Sequence, residues 1–425
     1  MKIRIENTTV LTNNEDNEVL KNASVLIEDG KISAVGNIVA QPVDRVIDGA
    51  KKIVAPGFFN MHTHVPMSVL RGYADDLDLS SWLDTKILPA EDKFTNEMAY
   101  WSSMAAICEM TAAGTVCFNE MYFFMDAVAK AAKDSGIRAG LSRAVVTVTP
   151  EAAERTFRES VELFEKYNGQ GRLKVYLSPH AQYTVDNEML EQIGRKAKEL
   201  GTGIHMHISE TQREHLNCVK ENMATPIALA ERLGLLESPF FAAHCVWVDE
   251  NDMEIMAQKG ASVLSCPRSN LKLASGIAPL SKMLEKGVRV TLGTDGAASN
   301  NKLSVMDEMT YAALLQKGTT YNPRTIPAAQ AFKLATSSGA TALGINSGTI
   351  EAGKNADIIM INADGIRYIP DYDPVSSIVY AGEGSDVCMT MVGGDILYEN
   401  GKFSFADPEE IKARLKEYSQ IIKAV

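Results

Sequence analysis

The sequence predicts an α/β fold: a (β/α)8 TIM barrel that carries a small β-sandwich domain formed from both chain termini. In the middle of the chain, eight short apolar runs alternate with longer helical patterns, as parallel strands joined by helices do. At both ends the pattern is instead that of β-hairpins. We therefore predict a composite β-domain at residues 1–55 and 346–425, with a C-terminal helix, and a barrel at residues 56–345.

The two chain ends share short strands separated by turn signals. Six strands are predicted there, at residues 2–11, 23–28, 31–36, 356–362, 387–392 and 396–398. Asp29 and Gly30 form a tight-turn signal between two of them, and a charged helix is predicted from about Pro408. Neither end is long enough to bury a hydrophobic core alone, so one domain shared by both ends is the simplest arrangement.

The barrel prediction rests on eight strands, at residues 53–61, 115–119, 138–146, 173–179, 203–208, 240–244, 261–266 and 288–294. Helical patterns lie between them, including residues 97–113, 186–200, 223–233, 249–259 and 279–286. Several helices are followed by a glycine and then by an apolar run, at Gly114, Gly201 and Gly287. Glycine is the preferred residue just beyond a helix C-terminus, so these positions mark where helices stop and strands begin.

Metal-binding residue types occur at the C-terminal ends of the predicted strands, where barrels have their active sites. His62 and His64 end the first strand, and their imidazoles face one volume because residues i and i+2 of a strand project to the same side. Four later strands end at or next to another such residue: His180, His207, His244 and Asp295. This arrangement predicts a catalytic metal centre, at which a cation lowers the pKa of water to about 7. His215, after the fifth strand, is expected to be a solvated surface residue.

Composition limits the partners and the location of the protein. A formal net charge of -12 argues against nucleic-acid or anionic-membrane binding, so we expect small molecules and copies of the same chain as partners. The six cysteines lack CxxC spacing, which is typical of reduced thiols. The N-terminus has no apolar signal core, and no apolar run approaches the roughly 20 residues that cross a bilayer. We therefore expect a cytoplasmic protein.

The strand-end residues and their neighbours resemble the amidohydrolase superfamily, specifically its mononuclear aminohydrolases. The shared segments are His62-Thr-His64, His207-Ile-Ser-Glu210, His244 and Thr294-Asp295-Gly296. Within the superfamily the chain is most similar to the 5-methylthioadenosine/S-adenosylhomocysteine deaminases. The segments that carry this closer resemblance are Arg71-Gly72, Trp82-Leu83, Pro89-Ala-Glu91, Arg143, Ser178-Pro-His180 and Pro267-Arg-Ser-Asn-Leu-Lys-Leu-Ala274.

The resemblance implies one divalent metal per subunit, either zinc or, as in some relatives, iron. The ligands that it implies are His62, His64, His207 and Asp295. His205 and His207 face the same side of the fifth strand. We favour His207 because it is nearer the strand end, and we interpret His205 as a hydrogen-bonded core residue. Binuclear relatives carry a lysine at the end of the fourth strand, where this chain has His180, which favours one metal.

The resemblance also implies the reaction, which is hydrolytic deamination of adenine-type nucleosides to ammonia and the inosine analogue. The implied substrates are 5-methylthioadenosine, S-adenosylhomocysteine, adenosine and 5'-deoxyadenosine. Glu210 is expected to move a proton to the ring nitrogen, and His244 and Asp295 to orient and deprotonate the water. The division of the proton transfers among these three side chains stays open.

Further substrate contacts are implied by the resemblance. Glu91 accepts hydrogen bonds from the ribose hydroxyls, and Trp82 forms an apolar wall. His180 contacts the purine or the ribose, whereas Arg143 and Arg155 contact the substrate tail. Each arginine has an alternative interpretation as half of an ion pair with a neighbouring acid, and Arg155 lies on a charged helical face.

Three other functions are compatible with the same fold. One is deamination of guanine or a pterin, but Glu91 together with His180 favours a substrate that carries a ribose. Another is a triazine-type chlorohydrolase or amidohydrolase, against which the presence of Glu210 and His180 favours deamination. The third is a non-catalytic scaffold, which the complete set of metal ligands disfavours. By family analogy we also predict a homo-oligomer.

Overall fold

The computed structural model describes residues 1–39 and 41–423 and shows a barrel beside a sheet built from both chain ends. Its strands are β1 (Lys2–Leu11), β2 (Val19–Glu28), β3 (Lys31–Gly36), β4 (Arg45–Asp48), β5 (Lys52–Pro56), β6 (Phe58–Thr63), β7 (Thr115–Tyr122), β8 (Arg138–Val145), β9 (Leu173–Pro179), β10 (Ile204–Ile208), β11 (Phe240–His244), β12 (Ser262–Ser265), β13 (Arg289–Leu292), β14 (Ile358–Asn362), β15 (Val387–Val392), β16 (Asp395–Glu399) and β17 (Lys402–Phe403).

The helices lie mostly between the barrel strands in chain order, and the others follow the last barrel strand. They are α1 (Leu79–Trp82), α2 (Leu88–Glu91), α3 (Asn96–Ala112), α4 (Met125–Ser135), α5 (Pro150–Tyr167), α6 (Asn187–Leu200), α7 (Gln212–Asn222), α8 (Pro226–Arg232), α9 (Glu250–Lys259), α10 (Pro267–Lys272), α11 (Leu280–Glu285), α12 (Ala297–Asn300), α13 (Val305–Thr320), α14 (Ala328–Ala335), α15 (Ser337–Ala342), α16 (Pro374–Ala381) and α17 (Pro408–Lys423). None of the helices in the described part of the chain is long and apolar enough to cross a membrane.

Strands β6 to β13 form a nearly closed barrel in which neighbouring strands are parallel and follow chain order. The end of the sheet returns to its beginning, because the amide of Asp295, beyond β13, donates to the carbonyl of His62 in β6 at 2.9 Å. Every residue of β6 is buried, as expected for a strand covered by side chains inside the barrel and by helices outside. The predicted (β/α)8 class is confirmed.

The outer helices bury one face and stop at glycine where the sequence predicted. In α6 the buried residues recur at helical spacing, at Met189, Leu190, Ile193, Gly194 and Ala197. The Asp186 side chain accepts a hydrogen bond from the third amide of this helix and so caps its start. Gly201 ends the helix with a φ of 64°, a left-handed conformation that glycine adopts without steric cost.

The remaining strands form one mixed sheet of nine strands, in the order β17-β16-β15-β14-β5-β1-β2-β3, with β4 paired to β1. The two chain ends meet where β5 and β14 pair in antiparallel fashion, with Met360 opposite Val54. The predicted β-domain shared by both termini is confirmed. The short strands β4 and β17 were not predicted, because β4 has only one buried residue and β17 only two residues in all.

The predicted first barrel strand, residues 53–61, is wrong in one respect, because it is two strands in different sheets. β5 belongs to the terminal sheet and β6 to the barrel, with Gly57 between them. A Cβ at Gly57 would lie 2.1 Å from Cγ1 of Val116, so only glycine fits where the chain passes between the sheets. The apolar run has no polar break at this point and does not reveal the change. The predicted domain boundaries after residues 55 and 345 stay a prediction.

The segment after β10 contains two helices where one was predicted at residues 223–233. α7 ends at Asn222, and Met223 takes a left-handed φ of 53° before α8 begins at Pro226. His215 lies on α7 and is half-buried, with a buried Nδ1, so the prediction of a solvated surface histidine is wrong. The α7 helix contacts α8, so it is not surrounded by solvent on every side.

Candidate active site

Four predicted ligands converge at the C-terminal end of the barrel. His62 lies in β6 and His64 just after it, whereas His207 comes from β10 and Asp295 follows β13. The Nε2 atom of His64 is 3.3 Å from Nε2 of His207 and 3.1 Å from Oδ1 of Asp295. The Nε2 atom of His62 is 3.6 Å from the same carboxylate oxygen. The structure therefore brings all four side chains around one volume.

Hydrogen bonds on the outer ring nitrogens orient two of these imidazoles. Nδ1 of His64 donates to the carbonyl of Met121 at 2.6 Å, and Nδ1 of His207 donates to the carbonyl of His180 at 2.9 Å. A neutral imidazole has only one N–H, so the neutral rings direct the lone pairs of Nε2 into the shared volume. This is the tautomer that a metal ligand requires.

The donor set fits a divalent metal ion. Nε2 of His62 is buried and has no hydrogen-bond partner among the described residues, while Nδ1 of the same ring lies 2.9 Å from Nε2 of His205, deeper in the barrel. Two sets of possible ligand atoms lie within 4.8 Å of one another, from His62, His64 and Asp295 and from His62, His207 and His244. Imidazole nitrogens with a carboxylate oxygen are ligands that zinc and iron accept.

Burial and charge set the protonation of this cluster. Burial lowers the pKa of both His62 and His207. Burial also lowers the pKa of His64, but the hydrogen bond to Asp295 and its charge outweigh burial and raise that pKa to about 9. Burial raises the pKa of Asp295, but the contact with His64 outweighs it and holds the pKa well below its ordinary value. Without a cation the proton therefore resides on His64 and Asp295 is ionised, and metal binding would release that proton.

Side chains of helices α10 and α12 orient Asp295 and His244, which face the cluster. Oδ2 of Asp295 accepts hydrogen bonds from Ser269 at 2.6 Å and Ser299 at 2.7 Å, which leaves Oδ1 for the imidazoles. Asn270 accepts a hydrogen bond from Nδ1 of His244 at 2.9 Å, so Nε2 of that ring faces inward. The φ angles of His244 and Asp295 are 73° and 60°, a strained conformation that recurs at functional sites.

Glu210 faces the same volume from the loop after β10. Its Oε2 lies 3.8 Å from Nε2 of His244, and its Oε1 accepts a hydrogen bond from Ser275 at 3.3 Å. The side chain is buried, and burial raises its pKa. A raised pKa favours the protonated carboxyl group, which is the form that can donate a proton in general acid catalysis.

Two predicted substrate contacts border the cluster. The ring of His180 lies 4.8 Å from that of His207, and burial lowers the pKa of His180 to about 4, so the ring is neutral at pH 7. Glu91 accepts a hydrogen bond from the hydroxyl of Tyr122, whose ring centre is 6.3 Å from that of His64. Burial raises the pKa of Glu91 to about 7.

Three other predicted substrate contacts have hydrogen-bond or ion-pair partners outside the cluster of four ligands. Arg143 donates to Glu159 of α5 through Nε at 3.0 Å and Nη2 at 2.7 Å. Arg155 lies 3.8 Å from the same carboxylate, with 61% of its side chain exposed. Trp82 is buried and donates its indole N–H to the carbonyl of Ala74. The ion-pair interpretation thus describes both arginines, and their contact with a substrate tail stays a prediction.

Several residues that support the cluster were not assigned as site residues by the sequence analysis: Ser269, Asn270, Ser299, Tyr122 and Glu120. The Glu120 carboxylate accepts hydrogen bonds from Thr63 Oγ1 at 2.5 Å and from the Val65 amide at 2.9 Å, and so fixes the backbone on both sides of His64. The predicted strand stopped at residue 119, but β7 continues to Tyr122. If the predicted strand had been extended by three residues, Glu120 would have been placed within the barrel sheet.

The fold and the cluster together define a class of protein, the metal-dependent hydrolases built on a (β/α)8 barrel. The chain matches the amidohydrolase family over residues 53–397. It is 42% identical over 424 residues to a 5-methylthioadenosine/S-adenosylhomocysteine deaminase of Syntrophomonas wolfei, covering 98% of each chain. It is 43% identical over 413 residues to a 5'-deoxyadenosine deaminase of Methanosarcina acetivorans, covering 96% of this chain and 95% of that one.

A solved structure supports the same relationship. A zinc-bound adenosine deaminase from Xanthomonas campestris superposes with a TM-score of 0.96 at 31% identity, over 100% of this chain and 99% of that one. The chain belongs to the amidohydrolase family and is a hydrolase of C–N bonds.

Proposed function

We propose that this amidohydrolase deaminates adenine-type nucleosides hydrolytically, releasing ammonia and the corresponding inosine analogue. One observation carries the proposal: a buried carboxyl group, Glu210, faces the same volume as four potential metal ligands. The similarity to relatives named as deaminases of 5-methylthioadenosine, S-adenosylhomocysteine and 5'-deoxyadenosine supports this substrate class.

We propose one zinc ion as the cofactor, held by His62, His64, His207 and Asp295. When bound, the cation supplies a hydroxide nucleophile at neutral pH. The unpartnered Nε2 of His62 supports this assignment, as does the zinc in the adenosine deaminase of Xanthomonas campestris. Elemental analysis of the purified protein is expected to find zinc as the major metal, and the variant His62→Ala is expected to lose it.

The chain's own residues carry the protons. Protonated Glu210 donates to the purine nitrogen beside the amino-bearing carbon, which makes that carbon more susceptible to attack. His244, whose Nδ1 proton is held by Asn270, offers Nε2 as the acceptor of the water proton. Asp295 keeps Oδ1 directed inward, takes the second proton of the attacking water and passes it to the amine as the C–N bond breaks, so that ammonia leaves as a neutral molecule. The proton held by His244 then returns to Glu210 and restores the starting protonation.

The proposed substrate contacts follow the edge of the cluster. Ionised Glu91 accepts hydrogen bonds from the ribose hydroxyls, neutral His180 contacts the purine or ribose, and Trp82 supplies an apolar wall. Arg143 and Arg155 meet the substrate tail only by exchanging their present contact with Glu159. The homo-oligomer, the lack of nucleic-acid and membrane partners and the cytoplasmic location stay predictions.

The test is a deamination assay with zinc-loaded protein that follows the adenosine-to-inosine absorbance change. Adenosine, 5'-deoxyadenosine, 5-methylthioadenosine and S-adenosylhomocysteine are compared with guanine, a pterin and a chlorotriazine, and Glu210→Gln is the inactive control. Turnover of an adenine nucleoside that Glu210→Gln abolishes supports the proposal. Turnover of guanine, the pterin or the triazine alone would leave the metal site intact but contradict the substrate assignment.

A further inference from the structure

Glu214 on α7 is a buried carboxylate that faces the backbone of the loop bearing Glu210. Its Oε1 accepts a hydrogen bond from the amide of Ser209 at 2.7 Å, and its Oε2 accepts from the amide of Glu210 at 2.7 Å. The amide of Thr211 is 3.4 Å from the same oxygen. Three successive backbone N–H groups thus surround one carboxylate, which is a strong anion-binding arrangement.

We propose that Glu214 is a positioning residue: it holds the loop at residues 209–211 so that Glu210 is aimed at the metal site. The inference rests on the proposed function in so far as Glu210 is the proton carrier of deamination. Glu214 itself lies behind the loop, and the hydrogen bond that it makes to Glu210 is to the backbone amide. None of the sequence patterns above assigned it a role.

The loop needs such support because its backbone is strained. Ser209 has a φ of 54°, a left-handed conformation that side chains other than glycine rarely adopt. This turn brings the Glu210 side chain back over the strand end only three residues after His207. The carbonyl of Ser209 is bound by the amide of Trp247 at 2.8 Å, while the Ser209 amide finds its acceptor in Glu214.

Helix capping alone does not account for these contacts. Glu214 and Thr211 form a capping box at the start of α7, in which the hydroxyl of Thr211 accepts from the amide of Glu214 at 3.1 Å. A capping box needs only the N-cap amide to meet the glutamate, whereas here the amides of Ser209 and Glu210 do so at shorter distances. The variant Thr211→Val is therefore a matched control, because it weakens the cap but keeps the Glu214 carboxylate.

The variant Glu214→Gln keeps the size of the side chain but replaces one acceptor oxygen with an NH2 group. At least one loop amide then faces a donor and is left unpaired. In zinc-loaded protein we expect the amides of Ser209 and Glu210 to exchange with deuterium about tenfold faster or more. Thr211→Val is expected to speed exchange only in the first turn of α7. Unchanged exchange at residues 209 and 210 in Glu214→Gln would overturn the proposal without reference to any activity.

Steady-state kinetics test the consequence for turnover. With the nucleoside that the protein turns over best, kcat of Glu214→Gln is expected to fall by about 10- to 100-fold, since small misplacements of a catalytic group have effects of that size. KM and zinc content are expected to stay near wild type, and Thr211→Val is expected to keep kcat within about twofold. A kcat loss no larger than that of Thr211→Val would contradict the positioning role. A wild-type protein that turns over no nucleoside would contradict the proposed function instead, and the exchange result would still decide the role of Glu214.

Discussion

Each histidine that faces the metal-binding volume is oriented by a hydrogen-bond partner outside that volume. For His64 and His207 the acceptor is a backbone carbonyl, which every sequence with this fold would supply. For His62 and His244 the hydrogen-bond partner is a side chain, His205 or Asn270. Orientation of the second pair therefore depends on individual residues that a single substitution removes.

The variant His205→Leu is expected to weaken zinc binding by about 10- to 100-fold, because loss of an outer hydrogen bond leaves the ligand free to rotate or change tautomer. Nδ1 of His62 would lose its only hydrogen-bond partner within the described residues. Competition with a coloured chelator measures the affinity. Met206→Leu, at the neighbouring buried position of β10, is the control and should bind zinc as the wild type does. Equal affinities for all three proteins would refute the role of His205.

The variant Glu91→Gln is expected to lower kcat/KM for ribonucleosides by about 10- to 100-fold, the size of a lost hydrogen bond to a charged group. Because burial raises the pKa of Glu91 to about 7, wild-type kcat/KM should fall as the pH is lowered from 8 to 6 and the carboxylate becomes protonated. Glu91→Gln should lack this limb of the profile. Equal effects on adenosine and on 2',3'-dideoxyadenosine, which lacks the hydroxyls, would contradict the ribose assignment.

The same pKa predicts the effect of Glu91 on stability. The folded protein holds the Glu91 proton up to about pH 7, whereas an unfolded glutamate releases it near its ordinary pKa. The folded state thus binds more protons between these values, and the contribution of Glu91 to stability falls as the pH rises through that window. Thermal melts should show Glu91→Gln gaining stability relative to the wild type at pH 8 compared with pH 5. An identical difference in stability at both pH values would contradict the raised pKa of Glu91.

At the scale of secondary-structure elements, short helices and sheet junctions position the site. Ser269 and Asn270 are consecutive on α10, yet one binds Asp295 and the other His244, so a single short helix orients two groups from different strands. The junction at Gly57 has a comparable effect on β6, because it sets where the first barrel strand starts. The position of His62 along the barrel follows from that start.

The variant Gly57→Ala is expected to lower the free energy of unfolding by about 1–3 kcal/mol, the usual cost of overpacking a core. The added methyl group would meet both Cγ atoms of Val116. The double variant Gly57→Ala/Val116→Ala should be more stable than the sum of the two single effects predicts, because the second change removes the clash. Urea denaturation of the four proteins measures the coupling. Additive losses would show that Val116 is not the obstacle.

At the scale of the whole molecule, a buried ion pair joins the barrel to the terminal sheet. Arg138 at the start of β8 donates to Asp357, just before β14, through Nε at 2.9 Å and Nη2 at 3.0 Å. The same carboxylate accepts from the amide of Gly393 at 2.7 Å and is fully buried. Removal of one partner would leave a buried guanidinium uncompensated, which is far more costly than the loss of a surface pair.

The variant Asp357→Ala is expected to lower the free energy of unfolding by about 3–5 kcal/mol. The exposed pair of Lys21 and Asp371, which also joins distant parts of the chain, offers the control Asp371→Ala, for which no measurable change is expected. Chemical denaturation compares them. Similar effects of the two variants would contradict a structural role of the buried pair.

Much of the site was predictable because its residues stand at the ends of recognisable strands. Each strand is a local apolar run, and parallel strands of a barrel present their C-terminal ends on one side, so the strand-end histidines and Asp295 could be placed together without any tertiary information. The choice of four ligands among them came from the family resemblance, because His205 and His207 face the same side of the fifth strand. The pairing of Arg143 with Glu159 could not be chosen from sequence, because an arginine near a strand end can face either the site or the neighbouring helix. Glu120 was missed because the predicted strand ended one residue before it.

The sequence by itself determined the order of strands and helices, the shared β-domain and the side of the barrel on which the histidines meet. These features follow from local periodicity and from the geometry of parallel strands. Only the tertiary structure decided that residues 53–61 divide between two sheets, that His205 stands behind His62, and that Glu214 binds the loop of Glu210. The physical reason is that each of these depends on a contact or a packing limit between segments, and a hydrogen bond or a steric clash leaves no periodic pattern in the sequence.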